Sequence, residues 1–345
     1  MKQNNLDISR ATEAVKNSRF VEGLSYLESN LAKEPDHIDS LYLAAVCSRY
    51  LKNYKDSKNY IERLLLKLPD MGRAYQELGH LNRDCGNSEK AISYYRQACE
   101  LNPALLASWK ALHYYFIKNK NKPAADHAKE QITTLESIPS ILLYISQILN
   151  EGKLGIAEDK CRDFLKKNPT NTYAMSLLSQ IADRLGYLDD AEILLENAVK
   201  FKPNNGELRM KYAMILRKKQ KLQKTMEQVD ILCEQFPDNL LYQSQKASET
   251  MQNGDHNEAI NLFDKILLKN PNNFNVLTSK GHAQKTLGMT EKAIKSYKKA
   301  YKIKNDHGDW FFSLSNLKTY KFSDNELQLM RDQLKRIDLT LKDKS

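Results

Sequence analysis

The chain has 345 residues, with 53 Lys+Arg against 43 Asp+Glu, a formal charge of +10 and 41% hydrophobic residues. That is too apolar for a disordered chain, and 9 Pro with 12 Gly exclude collagen-like or low-complexity character. Apolar stretches such as 141–145 fall far short of the roughly 18 residues that span a bilayer, and the polar start 1–10 lacks a signal-type apolar region.

Prolines set the organisation. Pro35, Pro69 and Pro103 are 34 residues apart, as are Pro169, Pro203, Pro237 and Pro271, and the two sets are separated by 66, two residues short of two periods. A fixed period of 34 predicts stacked helix–turn–helix repeats. In chain order these are 4–37, 38–71, 72–105, 106–137, 138–171, 172–205, 206–239, 240–273 and 274–307. The first carries the small residue Gly23, the second Leu41, Ala45 and Ser57, and the third Tyr75, Leu78, Gly79, Gly86, Ala91 and Tyr95. The fourth is degenerate: it keeps Trp109 and Ala125, has Pro123 near the start of its second helix and ends at the two-residue deficit, so a local irregularity is expected near 130–141. Gly152 and Ala157 mark the fifth, and Leu178, Ser179, Gly186 and Ala191 the sixth. The seventh has Gln220 and Thr225 where Gly and Ala are expected; the eighth and ninth return to pattern with Gly254, Ala259, Phe263, Gly281, Gly288, Ala293 and Tyr297. Small residues at repeat positions 8 and 20 let two helices approach closely. Glycine at position 15 takes a positive φ and ends the first helix, and proline at position 32 drives its predecessor out of the α region.

This pattern resembles the tetratricopeptide repeat (TPR) family. The resemblance implies an all-α fold, a right-handed TPR superhelix or α-solenoid of nine to ten helix–turn–helix repeats, whose first helices line a concave groove. In proteins similar to this one, positions 2, 5, 9, 12 and 13 look into that groove. Here they give Tyr42, Arg49 and Tyr50, then Arg73, Gln76, His80 and Arg83, then Lys110, Tyr114 and Lys118, and further on Gln180, Arg184, Met210, Arg217, His282 and Lys285. The N-terminal half of the groove therefore reads as basic and aromatic, suited to a protein partner or an acidic extended peptide along 42–118. The carboxylate clamp of chaperone-binding TPR domains is broken, because Lys110 is followed by Tyr114 where the clamp needs Asn. The run Arg217-Lys218-Lys219-Gln220-Lys221 straddles a turn, and Lys295, Lys298, Lys299, Lys302 and Lys304 fall on a second helix, which faces outward in TPR stacks. Both read as solvated charge; RNA binding is disfavoured for want of an aromatic stacking platform.

Residues that would carry chemistry do not assemble. No GxxxxGK[ST], GxGxxG, GxSxG or HExxH occurs, and the glycines are spent one per turn. Seven histidines show no i, i+4 pair and no cysteine in a ligand pattern, so no metal and no cofactor are expected. Asp189–Asp190, Ser88-Glu89 and Thr290-Glu291 read as helix-start caps rather than acid–base pairs. Five cysteines without a CxxC read as small buried hydrophobes in a reducing compartment, hence a cytoplasmic location.

The segment 308–324 reads GDWFFSLSNLKTYKFSD. It resembles the end of the N-terminal TPR array in bacterial TPR-containing sulfotransferases, where G-x-x-[WY]-x-SLANLKT-[FY]-x-FSD is typical, with Ser315 in place of the usual Ala. Phe311 and Leu314 continue positions 4 and 7 of a tenth first helix, and Ser323 is placed to cap a last helix over about 325–338 that covers the core end. The expected organisation is therefore nine repeats over 4–307, a tenth first helix and cap over 308–340, and a tail at 341–345. The resemblance implies a following sulfotransferase domain that uses 3′-phosphoadenosine 5′-phosphosulfate. Its PRSGT-type loop is absent from this sequence, so no catalytic or cofactor-binding residue is expected here. The chain is expected to serve as the substrate- or partner-binding region of such an enzyme, or as a stand-alone TPR adaptor.

Overall fold

The computed structural model describes residues 2–304, 309–318 and 320–335, and every regular element among them is an α-helix. His307, Gly308, Thr319, the expected helix end at 336–338 and the tail 341–345 lie outside the described residues. The helices gather into two compact units, Met1–Lys167 and Asn168–Ser345, where the sequence suggested one run of repeats; the division falls inside the repeat 138–171.

The first unit holds five hairpins: α1 (Lys2–Lys16) with α2 (Phe20–Lys33), α3 (Ile38–Tyr50) with α4 (Tyr54–Lys67), α5 (Gly72–Asp84) with α6 (Ser88–Leu101), α7 (Leu106–Lys118) with α8 (Lys122–Glu136), and α9 (Ser140–Asn150) with α10 (Leu154–Lys167). The second holds α11 (Thr172–Leu185) with α12 (Leu188–Phe201), α13 (Gly206–Lys218) with α14 (Leu222–Gln235), α15 (Leu240–Gln252) with α16 (His256–Lys269) and α17 (Phe274–Thr286) with α18 (Thr290–Ile303). It closes with the short α19 (Asp309–Ser315) and α20 (Asp324–Lys335). A helix packs on its hairpin partner, and α2, α4, α6, α12, α14 and α16 also pack on the next helix, so the core is a row of linked clusters. Leu27, Leu41, Ala45, Ile61, Leu64 and Leu78 belong to the first, and Tyr95, Leu112, Phe116 and Ala128 to the next. Each fully buried leucine contributes about 1.5–3 kcal/mol.

Local rules explain where these helices start and stop. Gly86, Gly152, Gly186, Gly254 and Gly288 all have positive φ, which ends the preceding helix. Ser18, Lys52, Lys120 and Gln220 occupy the same repeat position and adopt the same left-handed conformation, with φ of 58°, 64°, 56° and 56°. The turn thus imposes the conformation whatever residue fills it. Helix starts depart from expectation. Ser88, Asp189 and Thr290 sit inside the first turn rather than capping it, and Asn87, Tyr187 and Met289 at those N-caps make no side-chain bond. Side-chain caps recur before first helices, where Asn171, Asn205, Asn239 and Asn273, each two residues after a repeat proline, accept from Ala174, Leu208, Leu241 and Val276 backbone N–H at 2.9–3.2 Å; among second helices, Asn121 and Asp255 cap α8 and α16.

The deficit between the proline sets is spent at one joint. Only three residues, 137–139, separate α8 from α9, α9 is 11 residues long against 13 for α3, α5 and α7, and α8 and α9 meet at 111°. No single helix among the described residues is long and apolar enough to cross a membrane.

At the end of the second unit, Ser323 and Glu326 form a capping box: Ser323 N–H donates to Glu326 Oε2 at 2.9 Å and Glu326 N–H to Ser323 Oγ at 3.4 Å. None of the described residues of the helix it starts is buried, and its Glu326 accepts from the Tyr320 hydroxyl at 2.7 Å and pairs with Lys298 at 3.2 Å. Phe311, Leu317, Tyr320 and Phe322 pack against the cluster of buried Ala293, Tyr297 and Leu314. The cysteines also divide: Cys47, Cys99 and Cys161 are buried hydrophobes, but Cys85 is exposed and Cys233 half-buried.

Candidate functional site

Within the first unit, α3, α5 and α7 lie side by side as the first helices of successive repeats. Tyr42 lies on α3 with the Arg73 guanidinium 4.4 Å over its ring, and burial pushes its phenol up to about 12. Arg49 is only 6% exposed. It donates from Nε to Glu77 and from Nη1 to Asp84 at 2.9 Å, and lies 4.4 Å over the Tyr50 ring. Burial disfavours that buried guanidinium's charge, but Glu77 and Asp84 outweigh it and hold Arg49 protonated. Tyr50, 54% exposed, stacks flat on Phe20 with centroids 4.3 Å apart.

On α5, Gln76 accepts a bond from Ser108 Oγ at 2.9 Å. His80 Nδ1 lies 2.7 Å from the Tyr95 hydroxyl, so this imidazole is half-buried and paired rather than open to a partner. Burial, with the Arg49 and Arg83 charges, lowers its pKa to about 4. Arg83 is exposed and donates from Nε to Asp84 at 3.0 Å. On α7, Lys110 pairs with Glu136 at 2.7 Å, Tyr114 is 62% exposed and Lys118 is exposed at the helix end.

Three further contacts come from the end of α9 and the turn that follows it. Arg73 grips the Glu151 carboxylate with Nε toward Oε1 and Nη2 to Oε2 at 2.8 Å, and Lys153 pairs with Asp39. Asn150 Nδ2 donates to Asn102 Oδ1 at 3.0 Å. Most of the basic character read from the sequence is therefore paired internally, with Lys118 left exposed. Arg49, Arg73, Arg83, Lys110 and Lys153 meet Asp39, Glu77, Asp84, Glu136 and Glu151, five cations against five anions. Position rules select the cations but not the anions, because Glu151 sits in a turn and lies 78 residues from Arg73.

What remains open on this face is aromatic and aliphatic. Tyr50, Tyr114, Ile117, Ile141 and Tyr144 are exposed. A cleft of about 430 Å³ lies among α5, α7 and α9, lined by Gln76, Leu106, Lys110, Leu143, Tyr144 and Gln147. The site thus offers an apolar floor, two amides and one ammonium that is already paired. Tyr144 and Gln147 were outside the sequence-based set because α9 follows the irregular joint and its register shifts. No group of three or more metal-ligating side chains occurs among the described residues.

In the second unit the basic run is internally paired. Arg217 meets Glu249 at 3.3 Å, Lys218 meets Asp183 at 2.6 Å, Lys219 meets Asp189 and Glu192, and Lys221 meets Glu192 at 2.6 Å. His282 faces Tyr297 at 2.9 Å, as His80 does Tyr95.

Residues 72–105 and 274–307 match the tetratricopeptide repeat family. Among solved structures, the chain is similar to the crystal structure of MamA at 18% identity and a TM-score of 0.43, covering 47% of this chain and 94% of that one. It is also similar to MamA MSR-1 C2, at 18% identity and a TM-score of 0.41, covering 48% and 93%. A third is the MamA RS-1 ArsTM double mutant, at 14% identity and a TM-score of 0.41, covering 47% and 93%. The fold is all-α, and two of its hairpins, α5 with α6 and α17 with α18, match the tetratricopeptide repeat.

Proposed function

We propose that the chain is a protein-interaction module, and that the first-helix face of its first unit holds a partner segment in the cleft among α5, α7 and α9. The observation that carries this is the exposed Tyr144 lining that cleft, with exposed Tyr114 one helical turn beyond the lining residue Lys110 on α7. Aromatic side chains give large contact area at low entropic cost and dominate interface energetics. Because most of the cations here are already paired, affinity rests on this apolar contact and on amide bonds from Gln76 and Gln147 more than on net charge. The test is capture of partner protein by the immobilised chain from a lysate of the source cells. Tyr114→Ala/Tyr144→Ala is expected to lose the bound species, while Leu66→Ala, on the exposed side of α4, keeps it. Equal capture by all three contradicts the assignment.

The finer reading is that this module is the substrate- or partner-binding N-terminal region of a sulfotransferase-like polypeptide. What supports it is the string at 308–324, with its Ser-Leu-Ser-Asn-Leu-Lys-Thr core. The chemistry would then belong to a domain this chain does not contain, and the chain itself would carry no catalytic or cofactor site. A sulfotransferase reading frame continuing after Ser345 supports this, and its absence favours a stand-alone adaptor. Tight binding of 3′-phosphoadenosine 5′-phosphosulfate by this chain alone contradicts both.

A further inference from the structure

The turn Asn150-Glu151-Gly152-Lys153 behaves as a ligand of the face it crosses. Its three polar side chains reach three different elements: Glu151 binds Arg73 on α5, Lys153 binds Asp39 on α3, and Asn150 binds Asn102 after α6. The Glu151 side chain is only 4% exposed, and both its oxygens face the Arg73 fork. One charge-assisted hydrogen bond joins them, from Arg73 Nη2 to Glu151 Oε2 at 2.8 Å, and Arg73 Nε faces Oε1 as an ion pair without hydrogen-bond geometry. The Tyr42 ring lies beneath that guanidinium and fixes its plane. Asp39, also on α3, offers the complementary anion for a base and holds Lys153, two residues after Glu151.

We propose that Arg73, Tyr42 and Asp39 form a recognition site for a Glu-x-Lys segment, filled in this structure by the chain's own Glu151-Gly152-Lys153. This rests on the first-helix face being a partner surface. A partner reaches the site by exchanging its acidic and basic pair for the internal one. Such an exchange leaves no charge unpaired, whereas a neutral segment would strand the Arg73 guanidinium, whose side chain is 19% exposed; the Asp39 side chain is 39% exposed, so its pair adds less. The specificity is therefore for a carboxylate followed two residues later by a base. The internal turn is tethered, so it competes at a high effective concentration and sets a threshold that a weak segment does not pass.

The probe is the free acetylated and amidated hexapeptide of residues 149–154, which contains the Glu-Gly-Lys triplet, titrated calorimetrically. Glu151→Gln protein is expected to bind it at least tenfold more tightly than wild type, and the gain should vanish in Glu151→Gln/Arg73→Met. A peptide with Gln in place of its Glu is expected to show no gain. Equal affinity for wild type and Glu151→Gln, or a gain that persists without Arg73, overturns the proposal. If Glu151→Gln fails to fold, wild type is read by hydrogen exchange at saturating peptide. Faster exchange at 150–153 supports the proposal, and unchanged exchange overturns it. Loss of partner capture in Tyr114→Ala/Tyr144→Ala is scored separately, so failure of the peptide exchange leaves the surface assignment standing, and the reverse holds too.

Discussion

His80 Nδ1 and the Tyr95 hydroxyl lie 2.7 Å apart, with their rings edge to face at 5.3 Å. His282 and Tyr297 repeat the arrangement at 2.9 Å and 5.4 Å, and both pairs fall in the two segments that match the tetratricopeptide repeat family. A glycine precedes each histidine for a spatial reason. A Cβ on Gly79 would come within 2.6 Å of the Tyr95 ring, and one on Gly281 within 2.5 Å of Tyr297. Overpacking of this kind costs about 1–3 kcal/mol, so Gly79→Ala is expected to lower the denaturation free energy by that amount. Gly155, whose added Cβ would meet nothing within 4 Å, is the control. Gly155→Ala in α10 should instead stabilise by up to about 1 kcal/mol in the same urea titration.

The same histidine gives a pH dependence of defined sign. Its pKa falls from 6.5 to about 4 because burial, then Arg49 and Arg83, disfavour the imidazolium. The unfolded chain therefore binds the proton first. The stabilisation is complete above pH 6.5 and is lost as pH falls toward 4, with a ceiling of about 3 kcal/mol. His80→Gln is expected to flatten the stability profile in that window. Tyr95→Phe should keep the slope, since burial is the leading cause. A profile unchanged by His80→Gln would remove this residue from the account.

The left-handed turn position predicts opposite signs for two reciprocal changes. Lys120 holds φ of 56° and Gly86 holds φ of 78° at equivalent points of adjacent repeats. A side chain there costs about 1 kcal/mol or more relative to glycine. Lys120→Gly should raise the midpoint of thermal unfolding and Gly86→Ala should lower it, as read by circular dichroism.

The asparagine caps carry a similar expectation. Asn205 accepts the Leu208 N–H at 3.0 Å, and losing such a cap costs about 1 kcal/mol. Asn205→Ala should lose that much, and Asn205→Asp should lose little. Ser88→Ala should change stability much less, since Ser88 is not a cap.

Repetition made the fold legible: the 34-residue proline spacing places every hairpin from α3 to α18, and the two-residue deficit marks the α8–α9 joint. The cap position was also present in the sequence, as the recurring Asn two residues after Pro169, Pro203, Pro237 and Pro271. The site was legible only in part. Tyr42, Arg49, Tyr50, Gln76, His80, Arg83, Lys110, Tyr114 and Lys118 all lie on α3, α5 or α7, yet the structure commits most of their polar groups to internal partners. Position rules report where a side chain points along one helix. They carry no information on which anion arrives from 78 residues away, and that anion decides whether a basic face is basic.

Charge balance leads to the remaining prediction. Arg83→Glu and Lys110→Glu should each weaken partner capture through loss of local pairs, but wild-type binding should change less than tenfold between 50 and 300 mM salt. A steep salt dependence would return the site to one driven by net charge.

The most direct measurement is quantitative partner capture by wild type, Tyr114→Ala/Tyr144→Ala and Leu66→Ala at equal loading. The account predicts loss of the partner by the double variant and retention by Leu66→Ala. Retention by the double variant, with both variants folded, would contradict it.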